Sequence, residues 1–216
     1  MKLAQHWLLI LLTPALLLVM NLSQANFIHS ADQSDADNKQ ILTVGDTYGG
    51  GIVAYIFQPG DPGYVEGEVH GLIVTPEDQG RAEWGCLKFN PVNNTSMELG
   101  TGMANTIAIV EFHDTHFDDY YGSRKQCRYN NGTVAAKVAR ELELNGYTDW
   151  YLPSKDELNI LFSNRELIGG FSEADYWSSS EGSGSWSAWF RRFYGTGHQG
   201  HGHKDMNHMV RAIRTF

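Results

Sequence analysis

Short runs of β-branched and aromatic residues, each closed by Gly, Pro or Ser, dominate the chain beyond residue 50. Residues 51–57 (GIVAYIF) and 71–75 (GLIVT) are two such runs, and the turn-forming sequence QPGDPGYVEGE separates them. This pattern predicts two strands joined by a long hairpin loop. Three further runs of the same kind follow near the C-terminus, at residues 176–180, 187–194 and 210–216.

Three segments between these runs have the pattern of helices. Residues 103–112 form a short apolar stretch, and residues 133–145 carry an apolar face with Thr133 as a candidate cap. The clearest start lies at Ser154, which forms an S-x-x-E capping box with Glu157. Strands and helices together predict an α+β fold.

The first 25 residues have the pattern of a secretory signal peptide. A Lys near the start precedes an apolar run over residues 7–20, and Ser23 and Ala25 occupy the small-x-small positions of a cleavage site. A membrane anchor needs ~20 apolar residues, and this run is shorter and is interrupted by Pro14. We therefore predict cleavage near Ala25 and no stable membrane span afterwards, with an uncleaved anchor as the alternative.

The remaining chain divides into a leader and one domain. Residues 26–43 are polar and acidic with few apolar groups, and we predict a disordered leader. Residues 44–216 are long enough to bury one core. Cleavage of the signal peptide places this domain in the periplasm, in the medium or on the cell surface.

The charge of the chain argues against nucleic acid as a partner. The 216 residues carry a formal net charge of −9, and binding to phosphate backbones requires a basic face. The chain also contains neither a G-x-S-x-G nor an H-E-x-x-H motif, so we do not expect an enzyme. The sequence leaves the oligomeric state open.

The two cysteines, Cys86 and Cys127, would meet an oxidising environment after export. We predict a disulfide between them, which would stabilise the fold by ~3–4 kcal/mol through the loop that it closes. Two buried free thiols are the alternative, because a bridge requires Cα atoms within ~7 Å.

An ordered series of motifs resembles the Lcl C-terminal domain family, exported bacterial domains named for the C-terminal region of a collagen-like adhesin. The resemblance covers about residues 44–216, and its motifs are GDTYGGGIVAYI, DQGRAEWGC, GTGMANT, GYTDWYLPSKDELNILF, IGGF, YWSSSE, SAWF and VRAIRTF. It implies a C-type-lectin-like fold used for surface display and ligand recognition, and some members are adhesins for sulfated glycans. The chain departs from the collagen-like adhesin in having no Gly-x-y stalk and an acidic charge.

Several residues outside residues 181–209 have expected structural roles. Trp177 corresponds to a core strand of the family, and residues 150–153 are expected to lock the helix entrance into the core. Arg211 and Arg214 belong to the closing strand, where we expect ion pairs rather than ligand contacts.

Residues 181–209 are the segment in which we expect ligand binding. The segment combines aromatic, basic and adaptable polar residues, which is typical of a binding surface. Aromatic rings can stack on a sugar face, and cations can meet acidic substituents. A solvated hairpin without a ligand is the alternative. The candidate ligand-binding residues are Trp186, Trp189, Arg191, Arg192, Tyr194, His198, Lys204 and Asn207.

Histidines in the same segment suggest a metal site as a weaker hypothesis. His201 and His203 alternate as they would on one side of a strand, and Asp205 could add a third ligand for Zn²⁺. Residues 113–119 contain two His and three Asp, a set that could hold Ca²⁺ or a transition metal. No other cofactor is expected.

The sequence thus favours an exported, non-enzymatic recognition or adhesion domain that binds an extracellular glycan or protein. Two alternatives remain open. One is a metal- or thiol-dependent enzyme related to formylglycine-generating oxidases, in which the cysteines would be redox-active. The other is a histidine-based metal-binding protein.

Overall fold

The computed structural model describes residues 41–85, 92, 95–116 and 133–216. The predicted signal peptide, almost all of the leader and both cysteines lie outside these residues. Leu42–Phe216 form one compact unit. Within the described residues it contains two sheets and four helices, so the predicted α+β class is confirmed.

The first sheet has four antiparallel strands, and the predicted hairpin of residues 51–57 and 71–75 forms its centre. The third strand of the sheet in chain order is buried on both faces. Its Ile73 side chain packs into one apolar cluster, whereas Leu72 and Val74 pack into another, so this strand separates two cores. The strands, in spatial order, are β1 (Thr47–Tyr48), β2 (Gly51–Ile56), β3 (Gly71–Val74) and β9 (Ile213–Thr215).

The second sheet has five strands, of which the sequence predicted only two. Its strands pair antiparallel, except for one parallel contact between the strands that contain Tyr176 and Met209. In spatial order they are β4 (Arg81–Glu83), β8 (Asn207–Met209), β5 (Asp175–Glu181), β6 (Ser187–Arg192) and β7 (Gln199–His203).

The residues of strand β7 do not alternate between apolar and polar, because glycines occupy one face of the strand. A Cβ atom at Gly200 or Gly202 would lie 3.5 Å from the ring of Phe190 on β6. The aromatic ring therefore covers the glycine face of β7, and the strand forms through backbone pairing without apolar side chains of its own.

The helices confirm two predictions and correct one. Helix α1 (Gly102–Thr115) contains the predicted stretch, whereas α2 covers only Ala135–Arg140 instead of residues 133–145. Thr133 does not cap α2, because the N-cap residue is Val134, which is extended and forms a β-bridge with Glu83. This bridge sets where α2 begins. The chain then leaves the helix after Arg140 and turns. The two remaining helices are α3 (Lys155–Ser163) and α4 (Arg165–Ile168).

The predicted capping box at the start of α3 is present and buried. Ser154 Oγ accepts from the Glu157 N–H, and Glu157 Oε2 accepts from the Ser154 N–H at 2.7 Å. Glu157 Oε1 also accepts from the Gly100 N–H at 3.0 Å. Burial raises the pKa of Glu157 to about 7, although the N–H donors around it oppose this rise. The box thus ties the start of α3 to the loop that leads into α1.

The predicted structural roles of Trp177 and the two C-terminal arginines are also confirmed. Trp177 is fully buried. Arg211 pairs with Asp78 at 3.0 Å, and Arg214 forms a bidentate pair with Asp149 at 2.7 and 2.9 Å. These arginines hold the closing segment of the chain in place.

In the part of the chain that the structure describes, none of the helices has the length and apolar character required to cross a membrane.

Candidate functional site

The segment of residues 181–209 folds into strands rather than an open loop. Strands β6 and β7 form a hairpin whose cross-strand pairs are Ser187 with His203, Trp189 with His201, and Arg191 with Gln199. Because paired residues in an antiparallel ladder share a face, these side chains lie on one side of the hairpin.

Helix α3 lies beside this side of the hairpin and adds polar groups to it. The Lys155 ammonium is 5.2 Å from the centre of the Trp189 ring. Asn159 Oδ1 accepts from Arg191 Nη1 at 3.3 Å and from Gln199 Nε2 at 2.5 Å. We call the surface formed by β6, β7 and α3 the hairpin–helix face. Its members are Lys155, Asn159, Trp186, Trp189, Arg191, Gln199, His201 and His203.

A row of four rings crosses the hairpin–helix face. The ring of Trp186 lies 4.8 Å from that of His203 and 6.3 Å from that of His201, and the ring of Trp189 lies 5.5 Å from that of His201. Trp186 is 44% exposed, which is unusual for so large an apolar side chain. The row therefore presents aromatic surface to solvent beside hydrogen-bonding groups.

Arg191 carries a positive charge that no carboxylate neutralises within the described residues. Its guanidinium lies 4.1 Å from the ring of Phe162 on α3, and its Nε atom has no hydrogen-bond partner in that part of the chain. Burial and the nearby Arg165 charge lower the pKa of Arg191, but a guanidinium remains charged at physiological pH. Arg191 can therefore bind an acidic group.

Trp189 adds a second unused donor. Its Nε1 atom is buried and has no hydrogen-bond partner among the described residues. A buried donor without a partner is unfavourable, so a ligand acceptor that reached this atom would gain an uncontested hydrogen bond.

Three of the predicted binding residues lie away from the hairpin–helix face. Arg192 lies on the other side of β6 from Arg191, where its Nε donates to Asp175 at 3.0 Å. Tyr194 is exposed, and its ring lies 4.8 Å from the Arg192 guanidinium. His198 lies on this second side also, 6.0 Å from the ring of Phe190.

Asn207 lies farther still, in β8, which β5 separates from β6. Its backbone carbonyl accepts from Arg81 at 3.1 Å. The structure therefore divides the eight predicted residues among several places and brings together only Trp186, Trp189 and Arg191.

Lys204 is not a surface residue, contrary to the prediction. Its side chain is 4% exposed and forms an ion pair with Glu181. The ammonium lies 4.6 Å from the ring of Trp84. Glu181 also accepts from the Val92 N–H at 3.0 Å, so this pair is part of the interior. Lys204 cannot contact a ligand bound at the surface.

The two histidines among the candidate zinc ligands belong to the row of rings. His201 and His203 are exposed on β7 and both lie against Trp186, while Asp205 lies in the turn after β7. Among the described residues, no group of three or more His, Cys, Asp and Glu side chains is arranged to hold a metal ion.

The second candidate metal cluster is only partly described. His113 is buried in α1, and its Nδ1 atom lies 2.7 Å from the Ile109 carbonyl oxygen. Burial lowers the pKa of His113 to about 4, so the ring is neutral at physiological pH. Asp118 and Asp119 lie outside the described residues.

The fold and the hairpin–helix face together define an α+β domain with an exposed aromatic surface on its edge hairpin. The chain belongs to the Lcl C-terminal domain family, whose model matches residues 102–214. The matched residues include the whole of the hairpin–helix face. No curated protein matches the chain significantly.

The sequence analysis missed the contribution of α3 to this face. Lys155 and Asn159 are four residues apart and share a helix face, and Phe162 lies close to that face. The capping box fixed where this helix begins, so the spacing was available from the sequence. The strand against which this helix packs could not be predicted from the sequence, because it depends on the order of the strands in the sheet.

Proposed function

We propose that this chain is an exported, non-enzymatic recognition domain that binds an extracellular ligand through the hairpin–helix face. The observation that carries the proposal is the row of rings from Trp186 to Trp189, in which Trp186, His201 and His203 are exposed, beside an arginine whose charge has no acidic partner among the described residues. Export is part of the proposal and is supported by the N-terminal sequence pattern. A C-type-lectin-like arrangement is part of the proposal, supported by the family resemblance and by the α+β class.

A glycan is the ligand class that these groups fit best. Indole rings stack on the apolar faces of sugars, and the amides of Asn159 and Gln199 can exchange hydrogen bonds with hydroxyl groups. Arg191 can bind a carboxylate or sulfate substituent with its guanidinium. An extracellular protein is the alternative ligand, because aromatic residues and arginine are also the usual anchors of protein interfaces.

The proposal can be tested on a glycan and matrix-component array probed with the purified protein at two salt concentrations. The two sides of the hairpin supply a matched pair of variants. Trp186→Ala with Arg191→Gln alters the hairpin–helix face, and Tyr194→Ala with Arg192→Gln makes the same kind of change on the other side. Tyr194 is 40% exposed, close to the exposure of Trp186.

We expect the first variant to lose at least about tenfold in affinity for the bound component, and the second to change by less than about twofold. If the bound component were a protein and its binding depended in the same way on Trp186 and Arg191, the hairpin–helix face would remain the binding site and the ligand class would be protein. Equal losses in both variants, or a ligand that neither variant affects, would refute the proposed site.

A further inference from the structure

A cleft of about 410 Å³ opens at the end of the four-stranded sheet and shares no residue with the hairpin–helix face. Its volume lies within the range of small-ligand pockets, ~300–1,000 Å³. Its lining residues are Phe57, Pro62, Gly63, His70, Gly100, Thr215 and Phe216. All seven lie outside residues 102–214, so the family match assigns no role to them.

Two glycines keep the cleft open. A Cβ atom at Gly63 would lie 3.0 Å from the ring of Phe57, and one at Gly100 would lie 3.1 Å from the Cβ atom of Pro62. Both glycines have positive φ values, +88° and +85°, which other residues adopt with strain. Side chains at these positions would narrow the cleft and strain the backbone.

Exposed apolar side chains flank the lining residues. Tyr48 is exposed and packs edge-on against Phe216, with ring centres 5.2 Å apart. Val65 and Val69 are exposed in the loop that supplies four of the lining residues, and Met97 is exposed three positions before Gly100. These exposed apolar residues are neighbours in sequence of the lining residues, and exposed apolar surface beside a concave site is typical of a surface that binds a partner.

Two of the three segments that line the cleft are acidic, and the third follows Arg214, whose guanidinium is paired with Asp149. Residues 57–70 and 95–101 include four carboxylates, at Asp61, Glu66, Glu68 and Glu98, and neither segment has a Lys or Arg. The one ion pair that these carboxylates make among the described residues is between Glu68 and His70, at 2.7 Å.

Internal hydrogen bonds hold the cleft in shape. Asp61 Oδ2 accepts from the Tyr55 hydroxyl and from the Gln58 N–H, each at 2.8 Å. The two nitrogens of His70 face Glu68 Oε2 and the Phe216 carbonyl oxygen, and both of these atoms are acceptors. The loop is therefore fixed before any partner binds, which lowers the entropy lost on binding.

We propose that this cleft docks a polypeptide segment in which an aromatic or branched apolar side chain is flanked by Lys or Arg. The apolar side chain fills the cleft between Phe57, Pro62 and Phe216, and the basic flanks meet the acidic segments around it. Charge complementarity of this kind selects the partner and speeds its association.

The proposal can be tested by titrating the purified, ¹⁵N-labelled protein with three acetylated and amidated peptides, each with glycine at both ends. The first has the core Lys-Phe-Lys, the second Glu-Phe-Glu and the third Lys-Ser-Lys. We expect saturable shifts of the Gly63, Gly100 and Thr215 amides with the first peptide. We also expect at least about fivefold weaker binding of the other two, and weaker binding of the first in high salt.

A pair of matched variants separates the cleft from the rest of the surface. Thr215→Trp places a large side chain at the exposed rim of the cleft, whereas Thr115→Trp makes the same change at the end of α1. We expect the first to abolish the shifts and the second to leave them unchanged, with both proteins folded by circular dichroism. Replacing Glu66 and Glu98 by Gln should weaken binding about fivefold without altering the cleft.

Three results would overturn the proposal. Equal binding of Lys-Phe-Lys and Glu-Phe-Glu would show that charge does not select the ligand. Shifts that avoid Gly63, Gly100 and Thr215, or no binding of any peptide, would show that the cleft is not the site. Concentration-dependent shifts of the same amides without peptide would show that a second copy of the chain occupies the cleft.

Discussion

Arg211 Nη1 donates to Asp78 Oδ1 across 3.0 Å, and this bond joins the two connections that run between the sheets. Asp78 lies between β3 of the first sheet and β4 of the second, and Arg211 lies between β8 and β9. The fully buried guanidinium also donates to four backbone carbonyl oxygens and lies 4.2 Å from the ring of Phe171. The carbonyls belong to Thr75, Pro76, Gly169 and Gly170. This pair therefore fixes the sheets relative to each other.

Replacing Asp78 by Ala should lower the free energy of unfolding by ~3–5 kcal/mol, because it leaves a buried arginine without its carboxylate. Asp78 also accepts from the hydroxyls of Ser172 and Tyr176, each at 2.7 Å, and these bonds would be lost as well. Denaturant unfolding measures the change.

Asp149→Ala is the matched control, since Asp149 pairs with Arg214 but its side chain is about half exposed. We expect that variant to lose no more than ~1–2 kcal/mol. Similar losses in the two variants would contradict the special role of the Asp78 pair.

Two buried histidines should make the protein less stable in mild acid. Burial lowers the pKa of His113 and of His208 to about 4, below the ordinary histidine value of about 6.5. Each therefore contributes stability that is complete above pH 6.5 and is lost as the pH falls towards 4. Glu157 acts in the opposite direction, because its folded pKa of about 7 lies above its unfolded value. The pKa of His70 is also raised, by its hydrogen bonds to Glu68 and to the Phe216 carbonyl oxygen, but this ring lies at the surface, where such an interaction contributes little to stability. The two buried histidines therefore outweigh Glu157 and His70, and acidification gives a net loss of stability.

His208→Phe tests this account, because the ring would keep its packing against Trp177, 4.3 Å away, and would no longer titrate. Between pH 6.5 and 4.5, the free energy of unfolding of the variant should fall less steeply than that of the wild type. The difference should approach ~1.4 kcal/mol per pH unit where the proton is taken up. Parallel curves would mean that His208 does not contribute.

Gly102→Ala should destabilise the protein even though it lies in the first turn of α1. Alanine in an exposed helix is ordinarily favoured over glycine by ~0.5–1 kcal/mol. Here a Cβ atom would overlap Glu157 Oε2 and crowd the ring of Tyr151. We expect the melting temperature to fall by several degrees, and a rise would contradict the close packing around the capping box.

The Lys204–Glu181 pair offers a fourth test, which separates stability from binding. Lys204→Met removes the buried cation and leaves Glu181 charged, so the free energy of unfolding should fall by ~3 kcal/mol or more. Affinity for the ligand of the hairpin–helix face should be unchanged in the fraction that remains folded. A selective loss of affinity without a loss of stability would restore Lys204 as a binding residue.

Local chemistry made some of these features accessible from the sequence. The capping box at Ser154 depends on four consecutive residues, and the hairpin from Gly51 to Thr75 depends on two apolar runs and a turn, so both could be predicted. Strand β7 could not be predicted, because Phe190 from a neighbouring strand packs on its glycine face. The burial of Lys204 depends likewise on Trp84 and Glu181, which are distant in sequence. The composition of residues 181–209 indicated the segment that supplies most of the hairpin–helix face, but only strand alternation separates Arg191 from the neutralised Arg192.

The ratio of two dissociation constants tests the central claim most directly. The purified Trp186→Ala and Tyr194→Ala variants differ in which side of the β6–β7 hairpin loses an exposed aromatic ring. Their affinities for the strongest component found on the array can be compared by biolayer interferometry. The account predicts that Trp186→Ala binds at least about tenfold more weakly than Tyr194→Ala. A ratio near one, or weaker binding by Tyr194→Ala, would contradict recognition through the hairpin–helix face.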